Sequence, residues 1–190
     1  MPFFIWDPRS RKTGERRQSL VQTIDIAPTI LDYFGIPLPT SMQGLPLRDA
    51  EASDKPVREA GLYGLFGGHV NVTDGRYVYM RAPISPNNRP LFEYTLMPAH
   101  MRTSFDPHEL QDIRLADPFP FTKGCRTMKI EGRPWVNAHE FGSLLFDLDQ
   151  DPGQERPIHD AAVETRMLGL LKTLMRATHA PTEQFERLGL

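Results

Sequence analysis

The sequence predicts an α+β protein in which short antiparallel strands lie between two helices. Three patterns support this prediction: helical spacing of apolar residues over 26–34, a run of short strands after residue 61, and a second helical pattern near the carboxyl end. The 190 residues suffice for one domain of ordinary size, or for one domain and part of another. The 18 prolines, about twice the average share of about 5%, indicate many loops and few helices.

The first predicted element is a strand over Phe3–Trp6, an apolar run that Asp7 and Pro8 close. A run that is apolar on both faces is typical of a strand buried within a sheet whose two faces are covered. The chain supplies no neighbouring strand before it, and an unpaired apolar strand favours edge pairing with another chain. We therefore expect it to pair with another polypeptide segment, for example in a second copy of the chain.

A short helix is predicted next, with Thr23 or Asp25 as its amino-terminal cap. Pro28 falls in the first turn, where its missing N–H has no carbonyl partner to lose. Gly35 is placed to end the helix in a left-handed conformation. The apolar residues on one face of this helix are Ile26, Ile30, Leu31 and Phe34.

A boundary between two units is predicted at Glu51–Lys55, because that segment is charged and rich in small residues. The proline-rich residues 36–47 before it predict an extended connection. Residues 1–50 then form the end of a first, incomplete unit, and residues 56–190 form a second unit.

Short strands are predicted from residue 62 onward, and a tight hairpin joins two of them. Val70–Thr73 and Tyr77–Arg81 are rich in β-branched and aromatic residues, and the Asp74-Gly75 pair between them is favoured in hairpin turns. Three further runs have strand character: Leu62–Leu65, Leu91–Leu96 and Leu144–Leu148. The proline-rich residues 97–133 predict a long loop with one helical turn at His108–Leu115.

The last predicted element is a helix over Ala161–Thr178. Asp160 precedes it as a natural cap, because a carboxylate suits the positive end of the helix dipole. Gly169 costs about 1 kcal/mol relative to alanine, so packing must hold this helix. The residues that recur at helical spacing are Val163, Met167, Leu170, Leu171 and Leu174.

Composition and charge exclude several classes of protein. The net charge of −2 offers no basic field for nucleic acid or for an anionic membrane. No apolar run approaches the roughly 18 residues of a membrane helix, and the first residues have no basic leader. We therefore expect a soluble protein without a signal peptide, cytoplasmic if the chain is complete. The one cysteine, Cys125, cannot form an internal disulfide and is expected to be a partly buried free thiol.

Several segments together resemble one known family, the sulfatases. LVQTIDIAPTILDYFGIPLPTSMQGLPL resembles the stretch in which a helix with an Asp-x-x-Pro-Thr pattern precedes Gly-Ile-Pro and a Met-Gln-Gly turn. DGRYVYMR resembles the strand that follows, and SLLFDLDQDPGQERPI resembles the strand and acidic turn before the terminal helix. PFFIWDPR also resembles the strand after the second metal-binding motif of that family. The order and spacing of these segments fit the same family.

The resemblance implies both a fold and a chemistry. The implied fold is the last strand and helix of an α/β sulfatase-type domain, then a small antiparallel sheet of about four strands with a C-terminal helix packed on it. The complete enzyme would hydrolyse sulfuric esters with a formylglycine nucleophile, made from the first residue of Cys/Ser-x-Pro/Ala-x-Arg, and a divalent cation, usually calcium. In the family those residues lie upstream, so we expect this chain to contribute core packing and the substrate cleft. The strand Phe3–Trp6 is then expected to pair with the missing N-terminal catalytic portion, unless the chain associates with itself.

The sequence contains no substitute for the nucleophile motif or for the ligands of the cation. Cys125 does not start the motif, because threonine and lysine stand where it requires proline or alanine and then arginine, and Ser85 has its proline one place early. Asp147, Asp149 and Asp151 alternate like calcium ligands, but no glutamate closes such a loop. We interpret them as a strand end and a solvated turn, and we predict no catalytic residue, metal or cofactor in this chain.

Four side chains are candidates for the substrate cleft of the complete enzyme: His69, His100, Lys123 and Arg126. Either histidine could donate to a sulfate oxygen, and the alternative is an ordinary surface or packed histidine. Lys123 and Arg126 are a compact basic pair that suits an anionic sugar or sulfate, or else belongs to a solvated loop.

Two other functions stay open from the sequence. One is a phosphonate or phosphate ester hydrolase of the same superfamily, which only the upstream residues would separate from a sulfatase. The other is a non-enzymatic module that associates with itself or pairs with a separate catalytic chain.

Overall fold

The computed structural model describes residues 3–97, 99–100 and 102–190. Its helices are α1 (Ile26–Tyr33), α2 (Arg48–Ser53), α3 (Ala161–Ala177) and α4 (Thr182–Leu188). Its strands are β1 (Gly61–Gly64), β2 (Val70–Thr73), β3 (Tyr77–Arg81), β4 (Phe92–Thr95), β5 (Arg114–Ala116), β6 (Thr127–Glu131) and β7 (Leu144–Asp147). Among the described residues, no helix combines the length and the apolar character that crossing a membrane requires.

The larger sheet has four antiparallel strands in the order β1-β2-β3-β7. The predicted hairpin joins β2 and β3, with Val72 opposite Tyr79. Its turn is held by the Asp74 carboxylate, which accepts from the N–H groups of Arg76 and Tyr77 at 3.0 and 2.7 Å. The predicted α+β fold with a small antiparallel sheet is therefore confirmed.

Helix α3 packs on this sheet and builds the main core. Asp160 caps the helix as predicted, because its carboxylate accepts from the N–H groups of Ala162 and Val163 at 3.0 Å each. Burial of each large aliphatic side chain contributes about 1.5–3 kcal/mol, which offsets the low helix propensity of Gly169. The buried core residues are Ala60, Val72, Tyr79, Leu145, Met167, Leu171, Met175 and Leu188.

The prediction that residues 97–133 form a long loop is wrong where β5 and β6 occur. These strands form a second antiparallel sheet with β4, in the order β4-β6-β5. Strand β6 pairs with β4, which lies more than thirty residues earlier in the chain. Local periodicity cannot predict a strand whose partner is so distant, and this is why the sequence analysis missed it. The predicted helical turn at His108–Leu115 is present only as a 3-10 turn over Pro107–Leu110.

Helix α4, which the sequence analysis does not predict, joins the two sheets. Leu188 lies in the core of the larger sheet. Glu183 accepts from the Tyr94 hydroxyl and forms an ion pair with Lys129 Nζ at 2.6 Å, so it holds β4 and β6 of the smaller sheet. Helix α4 is therefore a clamp between the two sheets.

The predicted strand over Phe3–Trp6 is not formed. These residues have no strand pairing, and all four side chains are exposed, with Phe4 at 90%. The physical reason is that a strand needs a hydrogen-bonded neighbour, and none of the described residues provides one. The apolar face of α1 is also largely uncovered, with Phe34 at 69% exposure.

The segment before β1 is held together by Asp25. Its side chain is fully buried and is paired with Arg58, and it also accepts from the N–H groups of Gln22 and Leu45 at 2.7 and 2.9 Å. Burial alone would raise the pKa of Asp25, but these hydrogen bonds outweigh it and hold the pKa below its usual value. Asp25 precedes α1 as predicted, although its carboxylate binds Arg58 and does not cap the helix.

Part of the predicted boundary at Glu51–Lys55 is helical, because α2 extends to Ser53. The helix ends at Asp54, which adopts a left-handed conformation and whose carboxylate accepts from the N–H groups of Gln18 and Ser19 at 2.9 Å each. The division of the chain into residues 1–50 and 56–190 stays a prediction.

Candidate functional site

His69 lies in the turn between β1 and β2 and is half-buried. Its Nε2 atom is 2.8 Å from the carbonyl oxygen of Gly142, and a carbonyl only accepts, so this nitrogen carries the proton. Among the described contacts Nδ1 has no hydrogen-bond partner. His69 can therefore accept a proton or hydrogen bond at Nδ1, and it can donate there to an anion only as the imidazolium.

The backbone just before His69 is held by a buried arginine that the sequence analysis misses. Arg187 is 2% exposed and donates to Asn88 Oδ1 at 2.7 Å and to the carbonyl oxygen of Gly68 at 3.3 Å. Asn88 in turn donates to the carbonyl oxygen of Gly67 at 2.6 Å. Burial lowers the pKa of Arg187 to about 10. This network fixes the turn that carries His69.

His100 is held by carboxylates and an aromatic ring. Its Nε2 atom lies 3.2 Å from the Glu109 carboxylate, and its ring centre lies 4.3 Å from that of Phe105. An N–H of Asp106 and then the His100 ring lower the pKa of Glu109. To donate to a sulfate from Nε2, His100 would have to leave Glu109.

Lys123 and Arg126 lie in an exposed turn before β6. Lys123 has a left-handed backbone with φ of 53°. Arg126 makes only a long hydrogen bond to the Leu115 carbonyl oxygen, at 3.4 Å, and lies 4.0 Å from Asp117. Both cations are thus available to an anionic ligand. Within the described part of the chain, no hydrogen bond or ion pair connects any two of the four candidates.

The residues present do not fit the calcium ion or the nucleophile of a sulfatase. Cys125 is exposed, which corrects the expectation of a partly buried thiol. Asp147 forms an ion pair with Arg76 at 2.9 Å. Asp151 accepts from the backbone N–H groups of Glu155 and Arg156 at 2.8 and 2.7 Å. Asp147 is the last residue of β7, which fits the expected strand end. Asp151 is buried, so the expected solvated turn is wrong for it, whereas Asp149 is exposed. Residues 3–97, 99–100 and 102–190 contain no group of three side chains able to hold a metal.

A second feature that sequence patterns alone did not reveal is a large uncovered apolar surface. Residues of the first segment and of α1 form an open groove, and Ile24 and Ile36 add exposed apolar area. We call it the amino-terminal apolar surface, and its main residues are Phe3, Phe4, Ile5, Trp6, Ile26, Ile30, Tyr33 and Phe34. Contiguous apolar patches of this kind mark interaction sites.

Comparison with known proteins supports a C-terminal sulfatase portion, as the resemblance implies. A family model described as N-sulphoglucosamine sulphohydrolase, C-terminal, matches residues 1–116. The match covers more than half of the 190 residues, and the chain belongs to this family.

The proteins that are similar to this chain include one curated relative and two solved structures. The N-acetylglucosamine-6-O-sulfatase of Bacteroides thetaiotaomicron is 37% identical over 59 residues, which are 31% of this chain and 9% of the relative. A structure from work on the metabolism of multiple glycosaminoglycans by Bacteroides thetaiotaomicron has a TM-score of 0.49 and 14% identity, over 84% of this chain and 26% of that chain. A structure in complex with its substrate, D-glucosamine-2-N,6-O-disulfate, has a TM-score of 0.47 and 14% identity, over 84% of this chain and 24% of that chain.

Proposed function

We propose that this chain acts as the carboxyl-terminal part of a hydrolase of sulfuric esters. In the complete enzyme it packs against an α/β catalytic part and contributes side chains to the substrate cleft. Family membership supports the proposal, and so does the 6-O-sulfatase activity that the curated relative's name states, although this chain matches only 9% of that relative. The nucleophile and the cation would come from the catalytic part, since the side chains here do not fit them.

The amino-terminal apolar surface is the observation that carries the packing role. Phe4 and Trp6 are 90% and 73% exposed, and α1 presents Ile30 and Phe34 beside them. At about 25 cal/mol per Å², covering this surface would be strongly favourable, which supports a large, permanent partner. The α/β part is the occupant we propose, because the family description marks the chain as a carboxyl-terminal portion.

The cleft role is assigned to His69 first, and then to Lys123 and Arg126. His69 lies on a turn that a buried network holds rigid, and its Nδ1 atom is available. Lys123 and Arg126 are exposed cations, and the contacts of Arg126 with Leu115 and Asp117 are long. His100 is the weakest of the four, because Glu109 occupies its Nε2 atom.

An assay of the chain alone tests the absence of catalysis. The purified 190-residue chain is incubated with 4-methylumbelliferyl sulfate and calcium, beside a heat-denatured sample. We expect equal background rates, and calcium-dependent turnover by the folded chain alone would refute the proposal.

The coding sequence upstream of the first codon tests the complete enzyme. We expect an in-frame α/β portion with a Cys/Ser-x-Pro/Ala-x-Arg motif, and the joined protein should hydrolyse 4-methylumbelliferyl sulfate. Activity that is confined to 4-methylumbelliferyl phosphate or a phosphonate ester would favour the phosphate or phosphonate alternative. An upstream sequence without any catalytic portion would count against an enzyme.

Self-association is the second candidate function, and the same apolar surface favours it. Sedimentation of the isolated chain over a wide concentration range separates monomer from dimer. Phe34→Asp introduces a charge into the surface and should abolish a dimer, whereas the exposed control Phe121→Asp lies outside that surface and should not. A folded monomer at high concentration would exclude self-association.

A further inference from the structure

His100 lies between two carboxylates that come from different parts of the chain. Its Nε2 atom is 3.2 Å from both oxygens of Glu109, and its Nδ1 atom is 4.0 Å from Oε2 of Glu93. Glu93 lies on β4, whereas Glu109 lies in the 3-10 turn over Pro107–Leu110. The imidazole ring therefore bridges the smaller sheet and residues 102–110, which we call the β4–β5 segment.

Only one of these two contacts persists when the ring is neutral. A neutral imidazole has a single N–H group, and the bond to Glu109 uses it at Nε2. Protonation adds an N–H group at Nδ1, on the side of Glu93, and gives the ring a charge that both carboxylates attract. Glu109 stays ionised, because an N–H of Asp106 and then the His100 ring hold its pKa below the usual value. The bridge to β4 thus depends on the protonation of His100.

The charged groups on the other side of Glu109 come from a polar groove of about 140 Å³ beside the smaller sheet. Its lining side chains are Arg89, His108, Glu109, Asp112, Glu131 and Arg133. Arg89 is paired with Glu131 at 2.6 Å, and Arg133 contributes to the low pKa of Glu109. Arg133 therefore opposes a charge on His100, whereas the carboxylates of the groove favour it.

Phe105 fixes the β4–β5 segment independently of charge. Its side chain is buried, and its ring centre lies 4.3 Å from that of His100. A change in the charge of the imidazole therefore loosens the segment locally and leaves the smaller sheet folded.

We propose that His100 is a pH-sensitive switch that fixes the β4–β5 segment on β4. The protonated ring binds Glu93 and Glu109 together, and the neutral ring keeps only Glu109. The segment is therefore held in mildly acidic solution, and it is released as the pH rises through the range in which an imidazole loses its proton, about pH 5–8. This inference does not require sulfate hydrolysis, so it can hold or fail independently of the proposed function.

Amide hydrogen exchange of the full chain, followed by mass spectrometry, tests the switch. Rates are measured at about pH 5.5 and about pH 8, on either side of the ordinary imidazole titration, and are corrected for the intrinsic pH dependence of exchange. We expect protection in residues 102–110 to fall about threefold to fivefold at the higher pH, the range for a partly exposed ion pair. Peptides from β2 and β3 of the larger sheet should not change. Equal protection of residues 102–110 at both pH values would overturn the proposal.

Three variants assign the pH dependence to the bridge. His100→Gln can still donate to Glu109 but cannot be protonated, so its protection should match that of the unsubstituted chain at about pH 8 under both conditions. Glu93→Gln keeps the imidazole and the hydrogen bond from Asp106 to Glu109, and it should remove most of the pH dependence. His108→Gln is the matched control, an exposed histidine of the same turn, and should behave like the unsubstituted chain. A pH dependence that survives in His100→Gln, or that disappears in His108→Gln, would show that another group titrates and would refute the switch.

Discussion

The substitution Arg187→Met tests whether the buried network behind His69 is stabilising. The guanidinium is 2% exposed and has no carboxylate partner among the described residues. Instead it donates to Asn88 Oδ1, to Gln184 Oε1 at 3.0 Å and to the carbonyl oxygen of Gly68. Methionine has a similar length but offers no donor, so these acceptors lose their partner.

The expected change in the free energy of unfolding is the difference between a desolvation cost that is relieved and hydrogen bonds that are lost. Burial lowers the pKa of Arg187 to about 10, and this shift corresponds to roughly 3 kcal/mol of desolvation that methionine would relieve. Three acceptors left without a donor cost roughly 1–3 kcal/mol each, or about 5 kcal/mol in sum. We therefore expect a net loss of about 2 kcal/mol in the free energy of unfolding, and a Tm lower by roughly 4–8 °C.

Urea denaturation followed by circular dichroism measures this difference. Arg156→Met is the matched control, because it removes the same charge from an exposed side chain without described partners and should change stability by less than about 0.5 kcal/mol. Amide hydrogen exchange should also accelerate at Gly68 and His69 in Arg187→Met alone. If Arg187→Met were as stable as the control, or more stable, then relief of desolvation would exceed the lost hydrogen bonds and the reasoning would be wrong.

Three further predictions concern two glycines and the buried Asp25–Arg58 pair. Gly169→Ala should stabilise the chain by about 0.5–1 kcal/mol, because position 169 lies on the exposed face of α3 and nothing lies within 4 Å of the added Cβ. Gly44→Ala should destabilise it in the same urea assay, because the Cβ would lie 2.0 Å from the carbonyl oxygen of Ile24; equal stabilities would contradict both. The pKa of Asp25 is lowered in the folded chain, so its contribution is present above the unfolded-state value of about 3.9 and is lost as pH falls through the folded value. Asp25→Asn should therefore cost about 3–5 kcal/mol at neutral pH and flatten the acid limb of the stability curve, and parallel curves for the two proteins would count against this.

Elements with strong local signals were predictable from the sequence. The hairpin at Asp74 and Gly75 and the capped helix after Asp160 match the structure closely, because turn and cap chemistry acts over a few residues. Strand β6 and helix α4 were missed, since both depend on distant partners such as Glu183 and Lys129. The strand at Phe3–Trp6 was predicted from apolar character alone, but apolar character cannot supply a neighbouring strand.

Local sequence patterns were equally limited in predicting the candidate site. His69 was singled out from its glycine-rich turn, but its bond to Gly142 and the support of that turn by Arg187 and Asn88 join residues up to 120 positions apart. The polar groove lined by Arg89, Glu131 and Arg133 gave no motif, because its side chains come from segments that are distant along the chain.

By itself, the sequence determined the α+β class, the hairpin, the capped helix α3 and the resemblance to sulfatases, because each rests on residues that are neighbours along the chain. Only the tertiary structure decided the second sheet, the clamp made by α4, the burial of Asp25 and Arg187, and the surfaces left open. The physical reason is that burial, ion pairing and strand pairing are set by contacts between distant segments, and those contacts arise from the whole packing arrangement.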